Sequence, residues 1–214
     1  MPRPAIFLDR DGTITREVDY LRAVKDLRLL PGAASAVRTL NEAGFAVVVV
    51  TNQSGIARGL LTEKQFHEIH AALVQRLARH RARLDGMYYC PHHPQATVAR
   101  YRQECECRKP APGLLRQAAR ELDLDLTHSY AIGDRARDLA PGRAVGCRTV
   151  LVRSGYGAEQ EANWGETWRP DQVTKDLRAA AEWVLKQEVR HALQTLTTPE
   201  TELPKLIQDP CEQP

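Results

Sequence analysis

At 214 residues the chain is long enough for one α/β domain with a sizeable core, and its length does not demand two. With 43% hydrophobic and 27% charged residues it has the composition of a water-soluble globular protein, and its net charge of +3 comes without a lysine or arginine run, which argues against nucleic acid as a partner. No apolar stretch nears the ~20 residues of a bilayer span, and Met1-Pro2-Arg3-Pro4 lacks a signal peptide's apolar core, so a cytoplasmic protein away from any membrane is expected.

The run Ala5-Ile6-Phe7-Leu8 ends in Asp9 and predicts a short buried strand. Pro31 opens a helical stretch to about Asn41, with Ala34, Val37 and Leu40 at helical spacing, and Gly44 stops it. Phe45 to Val50 is continuous and β-branched, as in a central parallel strand covered on both faces. Thr62 and Gln65 form a capping box before a helix carrying Phe66, Ile69, Leu73 and Leu77, and a strand follows from Gly86 to Cys90. Between Pro91 and Pro112 there is little periodicity, and a loop of that length needs a function or a staple. Helix Gly113–Leu122, strand Ser129–Ile132, helix Arg135–Val145 and strand Thr149–Val152 then alternate. A last helix is predicted from about Thr174 to Leu193, and the Thr-, Glu- and Pro-rich tail is expected to be poorly ordered. Repeated β-α-β units predict a doubly wound, Rossmann-like parallel sheet with helices on both faces. The ligand crevice of such a sheet lies beyond the carboxyl ends of its strands, where Asp9, Thr51 and Asp134 fall.

Asp9-Arg10-Asp11-Gly12-Thr13 directly follows the first strand. Two carboxylates two residues apart in a loop can approach one Mg²⁺ and still do separate work. The first can attack phosphorus, while the second protonates the leaving oxygen and then activates water. By itself Asp-x-Asp-Gly is a common turn. Three further segments add to it. Thr51-Asn52-Gln53-Ser54-Gly55 offers hydroxyl, amide and backbone donors to a phosphate. Lys109, in Arg108-Lys109-Pro110, can neutralise phosphoryl oxygens as charge develops. Asp134 suits a metal carboxylate at a strand end, and Asp138, one turn on, reads as a helix-start charge.

Cys90-Pro91-His92 and Cys105-Glu106-Cys107 make two close pairs with twelve residues between them. Four soft ligands so paired are what a closed, structural Zn²⁺ site requires, and such a clip would hold the aperiodic loop firm. His93 is the rival of His92 for this role. Cys147 reads as a small core residue and Cys211 as part of the tail.

The four phosphate-directed segments, in this order, resemble the haloacid dehalogenase superfamily of phosphohydrolases over about residues 5–155. The resemblance implies Asp9 as nucleophile, Asp11 as acid and base, and Thr51 and Lys109 as holders of the phosphoryl group. It assigns Mg²⁺ to Asp9, Asp134 and the main-chain carbonyl of Asp11. A narrower resemblance is to the D-glycero-D-manno-heptose-1,7-bisphosphate 7-phosphatases. It rests on Phe7 to Thr13, Val18-Asp19-Tyr20, Pro31-Gly32, Thr51 to Gly59, Tyr88 to Pro94 and Cys105 to Pro110. That resemblance implies a sugar bisphosphate substrate recognised by Arg108, with Asp19, Tyr20 and Ser54 nearby. Arg135 stands where the group often has lysine and Thr15 where it often has asparagine. Arg135 keeps the charge in a planar form.

The leading expectation is removal of the 7-phosphate from heptose 1,7-bisphosphate. A histidinol-phosphate phosphatase is the nearest alternative, since its relatives share the carboxylate pair and the zinc clip. A phosphorylated DNA end would need a basic, aromatic-lined track that is absent from the sequence. A non-catalytic zinc-stabilised module would predict loss of at least one of Asp9, Asp11, Thr51, Lys109 and Asp134, and all are present. No apolar stripe argues for an oligomer, so a monomer is expected. The domain is predicted to cover residues 1–190, with the zinc loop at 90–107, and the tail residues 191–214.

Overall fold

The computed structural model describes residues 2–165 and 168–197. Its first half runs β1 (Arg3–Leu8), α1 (Ala33–Glu42), β2 (Ala46–Asn52), α2 (Ser54–Ala57), α3 (Glu63–Ala78) and β3 (Gly86–Cys90). Its second half runs α4 (Gly113–Leu122), β4 (Leu124–Gly133), α5 (Ala136–Ala144), β5 (Arg148–Val152), α6 (Gly157–Ala162), β6 (Gln172–Thr174) and α7 (Leu177–Thr197). The six strands form one sheet in the order β3-β2-β1-β4-β5-β6, and every pairing is parallel. This is the doubly wound sheet that the β-α-β alternation predicts.

Strand periodicity explains why β1 and β2 read as unbroken apolar runs. Ile6, Leu8, Val47 and Val49 point to one face, where they meet Val37 and Leu40 of α1, Phe66 and Leu73 of α3, and Val184 of α7. Ala5, Phe7, Val48 and Val50 point to the other and meet Leu114, Leu115 and Ala118 of α4. A strand buried on both faces cannot alternate polar with apolar. Cys147 packs in this second layer, as expected of a core residue.

Several boundaries differ from the sequence pattern for identifiable reasons. Gly32 takes a left-handed conformation (φ 77°), so α1 starts at Ala33 rather than at Pro31. β4 begins at Leu124, five residues before the predicted strand start at Ser129. Its register against β1 jumps between the pairs Pro4↔Asp125 and Ile6↔Tyr130. The intervening polar residues form an Asx-type turn, in which Asp125 Oδ1 accepts from the Thr127 amide at 2.9 Å. The short elements α2, α6 and β6 have too few residues to set up a period. Thr174 ends β6 rather than starting the last helix, which begins at Leu177 and continues through residues 191–197 of the expected tail. The rest of that tail, with Cys211, lies outside the described residues. Among the described residues no helix is long and apolar enough to cross a membrane.

The capping box at α3 forms as predicted. The Gln65 amide donates to Thr62 Oγ1 at 3.2 Å, and the Thr62 amide donates to Gln65 Oε1 at 2.7 Å. Thr62→Ala removes the first of these, so it is expected to cost about 1 kcal/mol in urea denaturation, with an unchanged m-value.

Candidate active site

β1 lies between β2 and β4, so Asp9, Thr51 and Asp134 emerge side by side at the carboxyl edge of the sheet. The chain leaves β1 and β2 on one side and β4 and β5 on the other, and the crevice opens at this reversal. The Asp9 amide, donating to the Ile132 carbonyl at 3.0 Å, ties the first loop to β4. The cavity above it measures about 270 Å³, the scale of one small molecule, and Asp9, Asp11, Thr51, Lys109 and Asp134 all line it.

At its floor Lys109 is buried, and its ammonium donates to Asp9 Oδ1 at 2.6 Å and to the Val50 carbonyl at 2.9 Å. A third contact, to Asp138 Oδ1, measures 2.7 Å. Oxygens of Asp9, Asp134 and Asp138 lie within 4.8 Å of one another. Three carboxylates around one ammonium leave two negative charges uncompensated, and little water reaches them. Burial raises Asp9 to about 7, opposed by Lys109 and reinforced by Asp138 and Asp11. Burial, then Asp9 and Asp138, raise Asp134 to about 8. Lys109 moves the same way: burial alone would lower it, but Asp138 and Asp9 outweigh burial and keep it charged. Asp138 also caps α5, its Oδ2 accepting from the Arg135 amide at 3.1 Å. The helix-start role read from the sequence is present, and the pairing with Lys109 is an addition that only the fold supplies.

The donor set fits a hard divalent cation, which takes oxygen ligands and opposes excess negative charge. The space around Asp134 fits it too. Gly12 (φ 84°) and Gly155 (φ 58°) flank its carboxylate, and a Cβ on either would collide with Oδ2. The Tyr156 amide donates to that Oδ2 at 2.8 Å, and Ser154 Oγ donates to the Gly12 carbonyl at 2.7 Å.

Asp11 is held apart from this cluster. The Arg10 fork donates to both of its oxygens, from Nε at 3.0 Å and from Nη2 at 2.7 Å. Thr15 Oγ1 and Gln53 Nε2 each donate to it at 3.2 Å. Gln53 Nε2 also donates to Thr51 Oγ1 at 2.9 Å, so the second strand's loop is tied to the first. Asn52 has its side chain on the main chain of Lys109, accepting from its amide and donating to its carbonyl, both at 3.0 Å. Asp19, Tyr20, Ser54, Arg108 and Arg135 line the cavity walls. So do Glu17, Arg58, Arg137 and Tyr156, which the sequence reading did not single out, and His93, which it weighed only as a zinc ligand. Tyr156 follows a strand at its carboxyl end, and that position alone was a usable signal.

Cys90, His92, Cys105 and Cys107 converge into one four-donor group. Cys107 Sγ lies 3.2 Å from Cys90 Sγ, 3.1 Å from Cys105 Sγ and 3.3 Å from His92 Nδ1. Three sulfurs and an imidazole so arranged suit a closed tetrahedral Zn²⁺ site. His93, the rival ligand, faces the cavity instead, and its Nδ1 accepts from the Gln95 amide at 3.0 Å. The loop is not held by this group alone, for Ala96 and Tyr101 are buried in the main core. Arg108 Nη1 donates to the His92 carbonyl at 3.0 Å, so the four-donor group leads straight into the cavity wall.

Residues 106–180, which carry Lys109, Asp134 and Asp138, match the family described as HAD-hydrolase-like, and curated relatives over most of the chain are phosphatases, so the chain is a phosphoric monoester hydrolase. A relative from Yersinia pestis, D-glycero-beta-D-manno-heptose-1,7-bisphosphate 7-phosphatase, is 45% identical over 183 residues, covering 85% of this chain and 89% of its own. A D-glycero-D-manno-heptose-1,7-bisphosphate 7-phosphatase from Thermosynechococcus vestitus is 42% identical over 86% of this chain and 96% of its own. The chain belongs to the D-glycero-D-manno-heptose-1,7-bisphosphate 7-phosphatase family. Among solved structures, D,D-heptose 1,7-bisphosphate phosphatase from B. bronchiseptica, complexed with magnesium and phosphate, superposes with a TM-score of 0.78 at 36% identity. The match covers 86% of this chain and 99% of that one.

Asp9 and Asp134 hold protons in the folded chain up to about 7 and 8, against 3.8 for an ordinary aspartate. Their contribution to the stability of the metal-free protein is full below the unfolded value and is lost as pH rises through the folded values. A bound divalent cation displaces those protons, so its stabilising effect grows across the same window. Thermal melts are expected to show a larger Mg²⁺-induced rise in Tm at about pH 8.5 than at about pH 5.5. Equal shifts at both would mean that the cation binds elsewhere.

Proposed function

We propose that the enzyme removes the 7-phosphate of D-glycero-D-manno-heptose 1,7-bisphosphate, releasing heptose 1-phosphate, through a phosphoryl group carried covalently on Asp9. The observation that carries this reading is the group of arginines on the cavity wall that have no carboxylate partner among the described residues. Arg58, Arg108, Arg135, Arg137 and Lys109 all line it, and of these five only Lys109 forms an ion pair with a described residue. One ammonium serves the reacting phosphate, and the unpaired arginines suit a second one. Histidinol phosphate carries an ammonium group in place of a second phosphate, which such a wall disfavours.

In the reaction the Asp9 carboxylate attacks the 7-phosphorus while Lys109, fixed by Asp138 and by the Asn52 clasp, neutralises the phosphoryl oxygens with Thr51. Asp11 gives its proton to the departing O7 and afterwards takes one from the water that clears the acyl phosphate. Arg10, Thr15 and Gln53 keep its carboxyl group within reach of that leaving oxygen. Asn52, Gln53 and Ser54 line the phosphate side, and Asp19, Tyr20, Arg108 and Arg135 the sugar side. Asp9, Asp134 and the Asp11 main-chain carbonyl would hold Mg²⁺, which supplies charge neutralisation of the phosphoryl group. Cys90, His92, Cys105 and Cys107 would hold a structural Zn²⁺.

Phosphate release from heptose 1,7-bisphosphate and from histidinol phosphate tests the substrate. The heptose is expected to be strongly preferred, and Asp9→Asn is expected to abolish turnover of both. Preference for histidinol phosphate would overturn the substrate, and an active Asp9→Asn the covalent route. Zinc removal offers a separate check. Cys107 lies two residues before Lys109, so Cys107→Ser is expected to lower zinc content, admit protease between residues 91 and 107, and reduce kcat by about 10²-fold. Full kcat in a zinc-free protein would refute that coupling.

A further inference from the structure

Tyr156, in the loop after β5, touches two other loops that surround the cavity. Its amide donates to Asp134 Oδ2 at 2.8 Å and its hydroxyl donates to Asp19 Oδ1 at 3.0 Å. Its ring lies beneath the guanidinium of Arg135, whose Cζ stands 3.6 Å from the ring centroid. Asp19 has a left-handed backbone (φ 57°), which residues bearing a side chain seldom adopt, and the Tyr156 hydroxyl meets it there. All four residues line the same cavity.

We propose that Tyr156 is a specificity-determining residue that aims Arg135 and Asp19 at the part of the sugar bisphosphate that does not react. This rests on the functional reading above and adds to it. The five donors of a guanidinium lie in its plane, so stacking one face on a ring leaves the edge free to bind an anion. A lysine ammonium, a compact point charge, would have no such edge to direct. Asp19 uses one oxygen on Tyr156 and keeps the other to accept from a sugar hydroxyl. Arg135 would otherwise lose several free rotations on binding substrate, and the stack removes much of that cost beforehand. The benefit therefore falls on binding and not on the chemical step. The contact to Asp134 comes from the main chain, so it survives replacement of the side chain. Substitutions at Tyr156 thus separate aiming of the substrate from placement of the metal carboxylate.

The test is steady-state kinetics on heptose 1,7-bisphosphate and heptose 7-phosphate for the wild type, Tyr156→Ala, Tyr156→Phe, Tyr156→Trp and Arg135→Ala. Tyr156→Ala is expected to raise KM for the bisphosphate about tenfold with kcat within about twofold, eroding its preference over the monophosphate. Tyr156→Phe keeps the stack and loses the Asp19 bond, so it should raise KM for both sugars and preserve their ratio. Tyr156→Trp should restore most of the preference. In the Arg135→Ala background, Tyr156→Ala should no longer change the ratio. A wild type without preference for the bisphosphate would overturn the functional reading and this proposal together. A preference that Tyr156→Ala leaves intact, or a fall in kcat at constant KM, would overturn this proposal alone.

Discussion

The ammonium of Lys109, enclosed by Asp9, Asp138 and the Val50 carbonyl, is the contact on which the rest of the site depends. A charge so deep costs several kcal/mol to desolvate unless it is paired and hydrogen-bonded, so the loop after β1, the end of β2 and the first turn of α5 must all close on it. A parallel sheet allows this, since every strand ends at the same edge and adjacent strands present adjacent loops. The pairing also overshoots. With Asp134 included, carboxylates outnumber the ammonium, and the elevated proton affinity of Asp9 and Asp134 records first their burial and then repulsion from neighbouring carboxylates. A divalent cation relieves that repulsion, so the site as folded is complementary to a metal-bound anion more than to an empty cleft.

Lys109 lies neither on a strand nor on a helix, and its position has to be secured some other way. The Asn52 amide grips its main chain from β2, and Cys107 anchors the preceding turn in the four-donor group. Between them stands Arg108, tied to the carbonyl of His92. The group behind the cavity is thus connected to the ammonium in front through two consecutive residues. Burial of Ala96 and Tyr101 in the main core gives the same loop a second attachment. This double anchorage explains how a long segment with little regular structure can carry a residue that must be held to within a fraction of an ångström.

The cavity has two electrical characters. Its floor is negative before metal binds, and part of its wall, with Arg58, Arg108 and Arg137, is positive. Glu17 and Asp19 supply acceptors on another part of the rim, where burial raises the proton affinity of Glu17 above its ordinary value. A ligand with a phosphate at each end and hydroxyls between them matches that distribution; a neutral or cationic tail does not.

Hydrophobic runs, their periods and the residues that end them are local properties, and they were enough to specify the alternating strands and helices, the covered strands β1 and β2, and the capping box of α3. Asp9, Asp11, Thr51 and Asp134 were legible for the same reason, because they stand at or just beyond the end of a recognisable strand, and the Cys/His donors because they sit in close pairs; Lys109 has neither mark and stood out only as a cation next to those donors. Segments too short to show a period, such as α2, α6 and β6, and the polar turn that interrupts β4 left no such mark. What the sequence did not contain is who meets whom across the sheet. Asp9 and Lys109 are 100 residues apart, and Asp19 and Tyr156 are 137 apart. Their contacts are set by strand order and register, as are the second role of Asp138 and the presence of His92 rather than His93 in the four-donor group. Those are outcomes of packing the whole chain, and no window along it holds the information.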